Sequence, residues 1–207
     1  MSKNVILLCD QYPNSNGEFF IDDEMRVASQ RFEHIFIITR KSEHDSSHRY
    51  VPENATIIEY NPHFSWKEKL RTCLFLVSPF FVKEAVFVVR TQKPKHWFTI
   101  FKIQFVCLLQ AQDLYRFLVK ECSIQNCICY SYWHDYKAMA LALLRNENPS
   151  AICISRAHGW DVFAERQQTP YLPFKPFVFK NLSQTYSISD AGRNYFLQQF
   201  GNEFSSC

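Results

Sequence analysis

Six short apolar runs constrain this chain more than any other feature: residues 5–9, 35–39, 56–60, 127–131, 151–155 and 185–189. Most are β-branched or apolar almost throughout. They read as strands buried on both faces, not as the alternating strands of a sheet with one wet side. Helical patterns stand between most of them. Residues 19–32 predict a helix whose first turns hold Asp22, Asp23 and Glu24, with Glu18 just before it; carboxylates suit the positive end of a helix dipole. Asp135 is placed to cap a helix running to about Arg145, and residues 191–200 predict a last helix. Buried strands alternating with helices imply an α/β fold, a single doubly wound parallel sheet.

Residues 64–121 interrupt that alternation. They read as helical, in at least two pieces broken near Pro79 and Pro94, with Phe105, Leu108, Leu109, Tyr115, Leu118 and Val119 on one face. The expectation is one domain over 1–207 with a helical insertion at 64–121. At 207 residues and 47% apolar content the chain can bury a sizeable core. A net charge of +3 is too mild to imply nucleic acid. No run reads as a signal peptide or a membrane span, so a cytoplasmic setting is the default expectation. Of eight cysteines, Cys9, Cys73, Cys107, Cys127, Cys129 and Cys153 lie in apolar runs, where a thiol serves as a small hydrophobe. None stands at zinc-ligand spacing, and no metal site is expected.

In open parallel sheets, ligands bind outside the carboxyl ends of the strands. That rule gathers residues 12–19, 133–135, 156–161 and 189–193 onto one rim. Those segments hold much of the polar and aromatic content that could do chemistry. The rim lacks G-x-G-x-x-G, a P-loop, G-x-S-x-G and H-E-x-x-H. What remains is Gly17 and Glu18 on the first loop, the cluster Arg156, His158, Gly159 and Asp161 after the fifth strand, and Ser189 and Arg193 after the sixth. A glycine permits close backbone approach to a ligand, and a neutral imidazole can donate to or accept from a sugar hydroxyl. Each has a plainer reading. His158 can bond a backbone carbonyl, Arg156 and Asp161 can pair across the turn, Glu18 can serve only the helix terminus, and Trp133 and His134 can be packing residues.

Four stretches carry a resemblance: CDQYPNSNGEFFIDDEM (9–25), YSYWHDYKAMALALL (130–144), ISRAHGWDVFAER (154–166) and YLPFKPFVFKNLSQTYSISDAGRNYF (171–196). Together they resemble the amino-terminal domain of bacterial GT-B, family-4-like glycosyltransferases of surface and capsular polysaccharide synthesis. The resemblance implies a Rossmann-like half of a two-domain enzyme. This half would hold the acceptor, a glycan or lipid-linked sugar, while a second domain holds the nucleotide-sugar donor. It implies retention of anomeric configuration, with neither cofactor nor metal. On the family pattern, Gly17 and Glu18 match the first cleft loop. His158 matches the histidine that approaches the transferred sugar, Arg156 and Asp161 match its supports, and Ser189 and Arg193 lie where the sixth strand meets the cleft. Family members continue into the donor domain, whereas this sequence ends at Cys207. The expectation is therefore a truncated acceptor-binding half that is inactive alone, either a fragment or one part of a split enzyme whose donor domain is a separate chain. The alternative is a non-catalytic glycan- or membrane-binding module.

Between Trp66 and Lys102 stand Lys67, Lys69, Arg71, Lys83, Arg90, Lys93, Lys95 and Lys102, opposed only by Glu68 and Glu84, with Phe80, Phe81, Phe87, Trp97, Phe98 and Phe101 interleaved. This stretch reads either as a face for anionic lipid, making the protein peripheral on the inner face of the plasma membrane, or as a solvated basic surface over a buried aromatic one.

Overall fold

The computed structural model describes residues 4–14, 17–40 and 49–204. Its centre is a six-stranded, wholly parallel sheet built from β1 (Asn4–Leu8), β2 (His34–Arg40), β3 (Ala55–Tyr60), β4 (Cys127–Ser131), β5 (Ile152–Ala157) and β6 (Gln184–Ser187). The spatial order is β3-β2-β1-β4-β5-β6. The chain therefore winds outward one way from β1 and then the other way from β4. The β1/β4 junction is the switch point at which such sheets open a crevice. The expected α/β, doubly wound, Rossmann-like sheet is the one observed.

Alternate residues of the central strands feed two separate cores, which is why those runs are apolar, whereas the edge strands β3 and β6 depart from the expected two-sided burial and keep exposed residues such as Ile57 and Tyr186. Ile6, Leu8, Ile38, Cys129 and Cys153 pack on one face with α4 (Trp97–Glu121), α5 (Tyr136–Glu147) and α7 (Lys175–Asn181). Val5, Leu7, Ile35, Ile37 and Tyr130 pack on the other face under α1 (Ile21–Ala28). Asp135 caps α5 as expected, its carboxylate accepting from the Lys137 N–H at 2.8 Å. Several boundaries move. The first helix is shorter than 19–32, and β5 runs two residues past 155. Arg156 is thus a strand residue, and His158 is the first residue beyond the strand.

The insertion folds as α2 (Trp66–Phe75), α3 (Pro79–Thr91) and the long α4, with breaks at Pro79 and Pro94. Each proline stands where its missing N–H costs nothing, in the first turn of a new helix segment. Leu108, Leu109 and Leu118 on α4 are buried as expected, but Val119 is exposed and the buried stripe includes Gln104 and Gln112. Both glutamines have partners. Gln112 accepts from the Thr72 hydroxyl of α2 at 3.1 Å, and Gln104 donates to the Tyr171 hydroxyl at 2.8 Å. Tyr171 in turn donates to Glu84 of α3 at 2.5 Å, and Glu84 also accepts from the Phe174 N–H at 3.1 Å. Burial raises the Glu84 pKa against both hydrogen bonds. This network ties the insertion to the segment that leads into α7. The described cysteines are free, and Cys73 departs from expectation, since it is exposed on α2.

Replacing Tyr171 with Phe strands Gln104 and leaves Glu84 with one donor. The variant is expected to lose about 2 kcal/mol of stability, the cost of unpaired buried polar groups, read as a lower urea midpoint at unchanged slope.

Candidate functional site

A parallel sheet ends in backbone groups with no further strand partner, and each buried one needs a partner. Two carboxylates fill this need on the rim. Glu18 has positive φ (58°), an uncommon conformation for a residue with a Cβ. It folds back over the end of β1, and its carboxylate accepts from the N–H groups of Asp10 (3.0 Å), Gln11 (2.7 Å) and Tyr12 (2.9 Å). It also accepts from the Trp133 indole at 2.5 Å. Glu18 thus stands ahead of α1 as a loop clasp and not as that helix's terminal carboxylate. Gly17 lies beside it, its carbonyl accepting from Arg49, which also binds the Glu18 carbonyl at 2.9 Å and pairs with Asp22 at 2.8 Å.

Asp161 is the second clasp. It stands in the short helix α6 (Gly159–Val162) and accepts from the His158 N–H at 2.5 Å and the His134 N–H at 2.6 Å, which joins the ends of β4 and β5. Arg156 does not pair with it. Arg156 forms a two-pronged ion pair with Glu24 of α1 at 2.8 and 3.2 Å, and its guanidinium lies over the rings of Tyr130 and Tyr132.

His158 is half-buried, its ring 4.9 Å from Tyr132 and 4.5 Å from Trp133 between centroids. Its Nδ1 is buried without a hydrogen-bond partner. Burial, then the Arg156 charge, pushes its pKa down to about 4 against the opposing pull of Glu18, so the imidazole is neutral at physiological pH. Glu18, Trp133 and His158 thus form one contiguous edge across the ends of β1, β4 and β5. Gly159 leaves room for the Arg166 guanidinium, whose Nη1 would stand 2.3 Å from a Cβ placed there. Ser189 caps the first turn of α8 (Asp190–Phe204), its hydroxyl accepting from the Gly192 N–H at 3.1 Å. Arg193, one turn further, is exposed.

Beside this edge, on the α4 side, opens a cleft of about 640 Å³. It lies between α4, the β4–α5 turn, α6 and residues 167–175, and its walls include Tyr136, Trp160, Asp135, Asp161, His134 and Lys175. His158 is not one of its walls. Lys175 is buried and donates to the His134 carbonyl. Burial brings its pKa down to about 8 against the attraction of Asp161 and Asp135. Burial raises Asp161 to about 6, opposed by Lys175 and the two backbone donors. Perturbed, convergent groups in a cleft are a functional-site signature. His134 is fully buried and stacked on Phe179 at 5.2 Å, as its packing reading required, yet its Nε2 has no partner.

The switch point itself is cross-tied. Lys137 is buried and bridges Asp10 of the β1 end (2.9 Å) and Asp135 of the β4 end (2.7 Å). Burial opposes its charge, but Asp135, Tyr136 and Asp10 together raise its pKa. Among the described residues, no three His, Cys, Asp or Glu side chains converge as metal ligands would. Lys137 and Lys175 were missed in the sequence. Lys175 had a signal: it is a lone cation inside the apolar run Leu172 to Phe179. Comparison with protein-family models finds no match, and no curated protein matches the chain.

A depressed histidine pKa makes stability fall with acid, because the unfolded chain takes up the proton first. The window for His158 runs from its ordinary 6.5 down to about 4. His158→Phe keeps a ring between Tyr132 and Trp133. Its stability relative to the parent should rise as pH falls from 7 to 4.5. Denaturant unfolding across that range checks this. His134 titrates in both proteins and leaves the difference to His158.

Proposed function

We propose that this chain is the acceptor-binding half of a glycosyltransferase, holding a glycan while a donor domain, on protein outside these 207 residues, presents a nucleotide-sugar. The reading is carried by the cleft at the carboxyl ends of β4 and β5. Its 640 Å³ lies within the range of small-molecule sites, about 300–1,000 Å³. Its walls pair ring faces (Tyr136, Trp160) with carboxylate and amide groups (Asp135, Gln110, Gln167). Sugars present the matching surfaces, apolar C–H faces edged by hydroxyls. The order of the quoted motifs along the chain supports the same reading.

In such a transfer an acceptor hydroxyl oxygen bonds to the anomeric carbon as that carbon's bond to the nucleoside diphosphate breaks, and the hydroxyl proton passes to the departing diphosphate. Residues of this half bind and orient the acceptor. His158, neutral and next to Trp133, meets the transferred sugar as a hydrogen-bond partner without charge. Gly17 and Glu18 form the loop beside it. Asp161, already satisfied by two backbone donors, fixes the positions of His134 and His158. Arg156 acts through Glu24 and the tyrosines, while Ser189 and Arg193 stand at the start of α8, outside the walls of the cleft.

The test titrates oligosaccharides from surface polysaccharides into the isotopically labelled chain. Binding is expected to perturb the Trp160 indole and to weaken at least about tenfold in Trp160→Ala, the loss of a stacking wall. The chain alone should release no nucleoside diphosphate from nucleotide-sugars. Absence of glycan binding across the panel overturns the proposal. So does turnover by this chain alone that is lost in His158→Ala, because the donor site would then lie within it. Glycan binding without transfer when a donor domain is supplied turns the reading to a binding module.

A further inference from the structure

The insertion carries an apolar surface that the fold leaves uncovered. On α2, Trp66, Leu70 and Leu74 follow one another at four-residue spacing and are exposed, and Val77, three residues on, is 82% exposed. On α3, Val82, Val86 and Val89 form a second exposed stripe, while Phe81, Glu84 and Val88 form the opposite, buried one. Phe98, 70% exposed, and Phe101 continue the surface onto the first turns of α4, where Phe101 packs edge-on against Phe81. A soluble helix normally hides its valine stripe, and α3 hides one stripe and presents another.

The charges around this surface have one sign. All eight basic residues of 66–102 are exposed. Neither acidic residue competes with them. Glu84 is buried in the Tyr171 network, and Glu68 is turned back to cap α2, accepting from the Ser65 N–H at 2.8 Å. A surface of valine, leucine and large aromatics, edged by lysine and arginine with no exposed carboxylate of its own, complements an anionic bilayer interface. Among the described residues no single helix is long and apolar enough to cross a membrane. The α2–α3 pair has the length and composition together but is bent by 73°. That bend suits a wedge lying in the interface, with Val77 at its corner.

We propose that α2, α3 and the first turns of α4 dock this protein on anionic lipid. The inference needs nothing from the sugar-transfer reading. One consequence joins the two. Helix α4 carries Phe98 and Phe101 toward the docking surface, and Thr99, Lys102 and Ile103 line the cleft. Lys102 belongs to both, its ammonium lying 4.4 Å from the Phe98 ring centroid. The cleft therefore stands beside the bilayer. On the transferase reading, its acceptor is lipid-anchored.

Co-sedimentation of the full chain with phosphatidylcholine vesicles, with and without phosphatidylglycerol, tests the docking. Binding is expected only with the anionic lipid, about tenfold weaker at high salt, as screening of surface charges requires. Two exposed-site variants, Val77→Asp with Val86→Asp and Lys83→Glu with Arg90→Glu, should each abolish it while thermal unfolding stays unchanged. Equal retention on neutral and anionic vesicles, or none on either, overturns the proposal. Concentration-dependent dimerisation lost in the valine variant, without vesicle binding, also overturns it and makes the face an interface between copies. Vesicle binding requires no sugar, so its failure leaves the glycan titration untouched, and failure of that titration leaves the docking standing.

Discussion

Unpaired backbone at the ends of the parallel strands is the constraint on which this site depends. The loop after β1 turns three consecutive N–H groups the same way, and nothing in the sheet can accept from them. Glu18 does so with a single carboxylate. Asp161 performs the equivalent service for His134 and His158. Remove either carboxylate and buried or half-buried donors lose their acceptor, at about 1–3 kcal/mol for each buried group. The rim is therefore held by the polar residues that a search for ligands would pick first. Glu18 and Asp161 shape the cleft edge, and shaping it uses much of their hydrogen-bonding capacity.

The same constraint accounts for what was legible in the sequence. The central strands stood out because burial on both faces demands apolar runs, and all six strands lie within two residues of their expected limits at either end. β2 gains a polar residue at each end, where His34 and Arg40 extend the ladder. The strand-end rule then brought the right segments together. Partner choice was not legible. Arg156 and Asp161 are five residues apart, yet Arg156 finds Glu24, 132 positions away, because even-numbered residues of β5 face α1. Asp161 lies past the strand and turns toward the other layer. Glu18 was unreadable for another reason. Its role rests on a left-handed backbone that composition alone does not announce in a residue other than glycine.

The insertion extends the contrast. Its prolines marked its joints in the sequence, and its glutamines gave no sign of burial. Gln104 and Gln112 sit inside α4 only because α2, α3 and the approach to α7 bring Thr72, Glu84 and Tyr171 to them. The insertion is thus locked to the sheet domain on one side, by the Gln104–Tyr171–Glu84 contacts and by Phe80, Phe81 and the leucines of α4 packed against α5 and α7, which frees the opposite side from any packing duty. Exposed valines on α3 follow from that division: the helix has already paired with its domain through Phe81, Glu84 and Val88.

Asp161 and Lys175 give the cleft its energetic character. Burial lifts the first to about 6 and lowers the second to about 8. A carboxyl whose folded pKa is raised loses stability as pH climbs from its ordinary value, near 4, through 6. An amine whose folded pKa is lowered recovers stability only as pH climbs from 8 toward its ordinary value above 10. Between 6 and 8 the fold carries both costs in full, each on the order of 3 kcal/mol. The attraction between the two groups is already contained in these positions, so it offsets the burial only in part. A fold that needed no cleft here could replace both with apolar side chains and gain stability. Asp161 and Lys175 stand where β4, β5 and α7 converge on open space, so both costs are borne at the wall of the cleft.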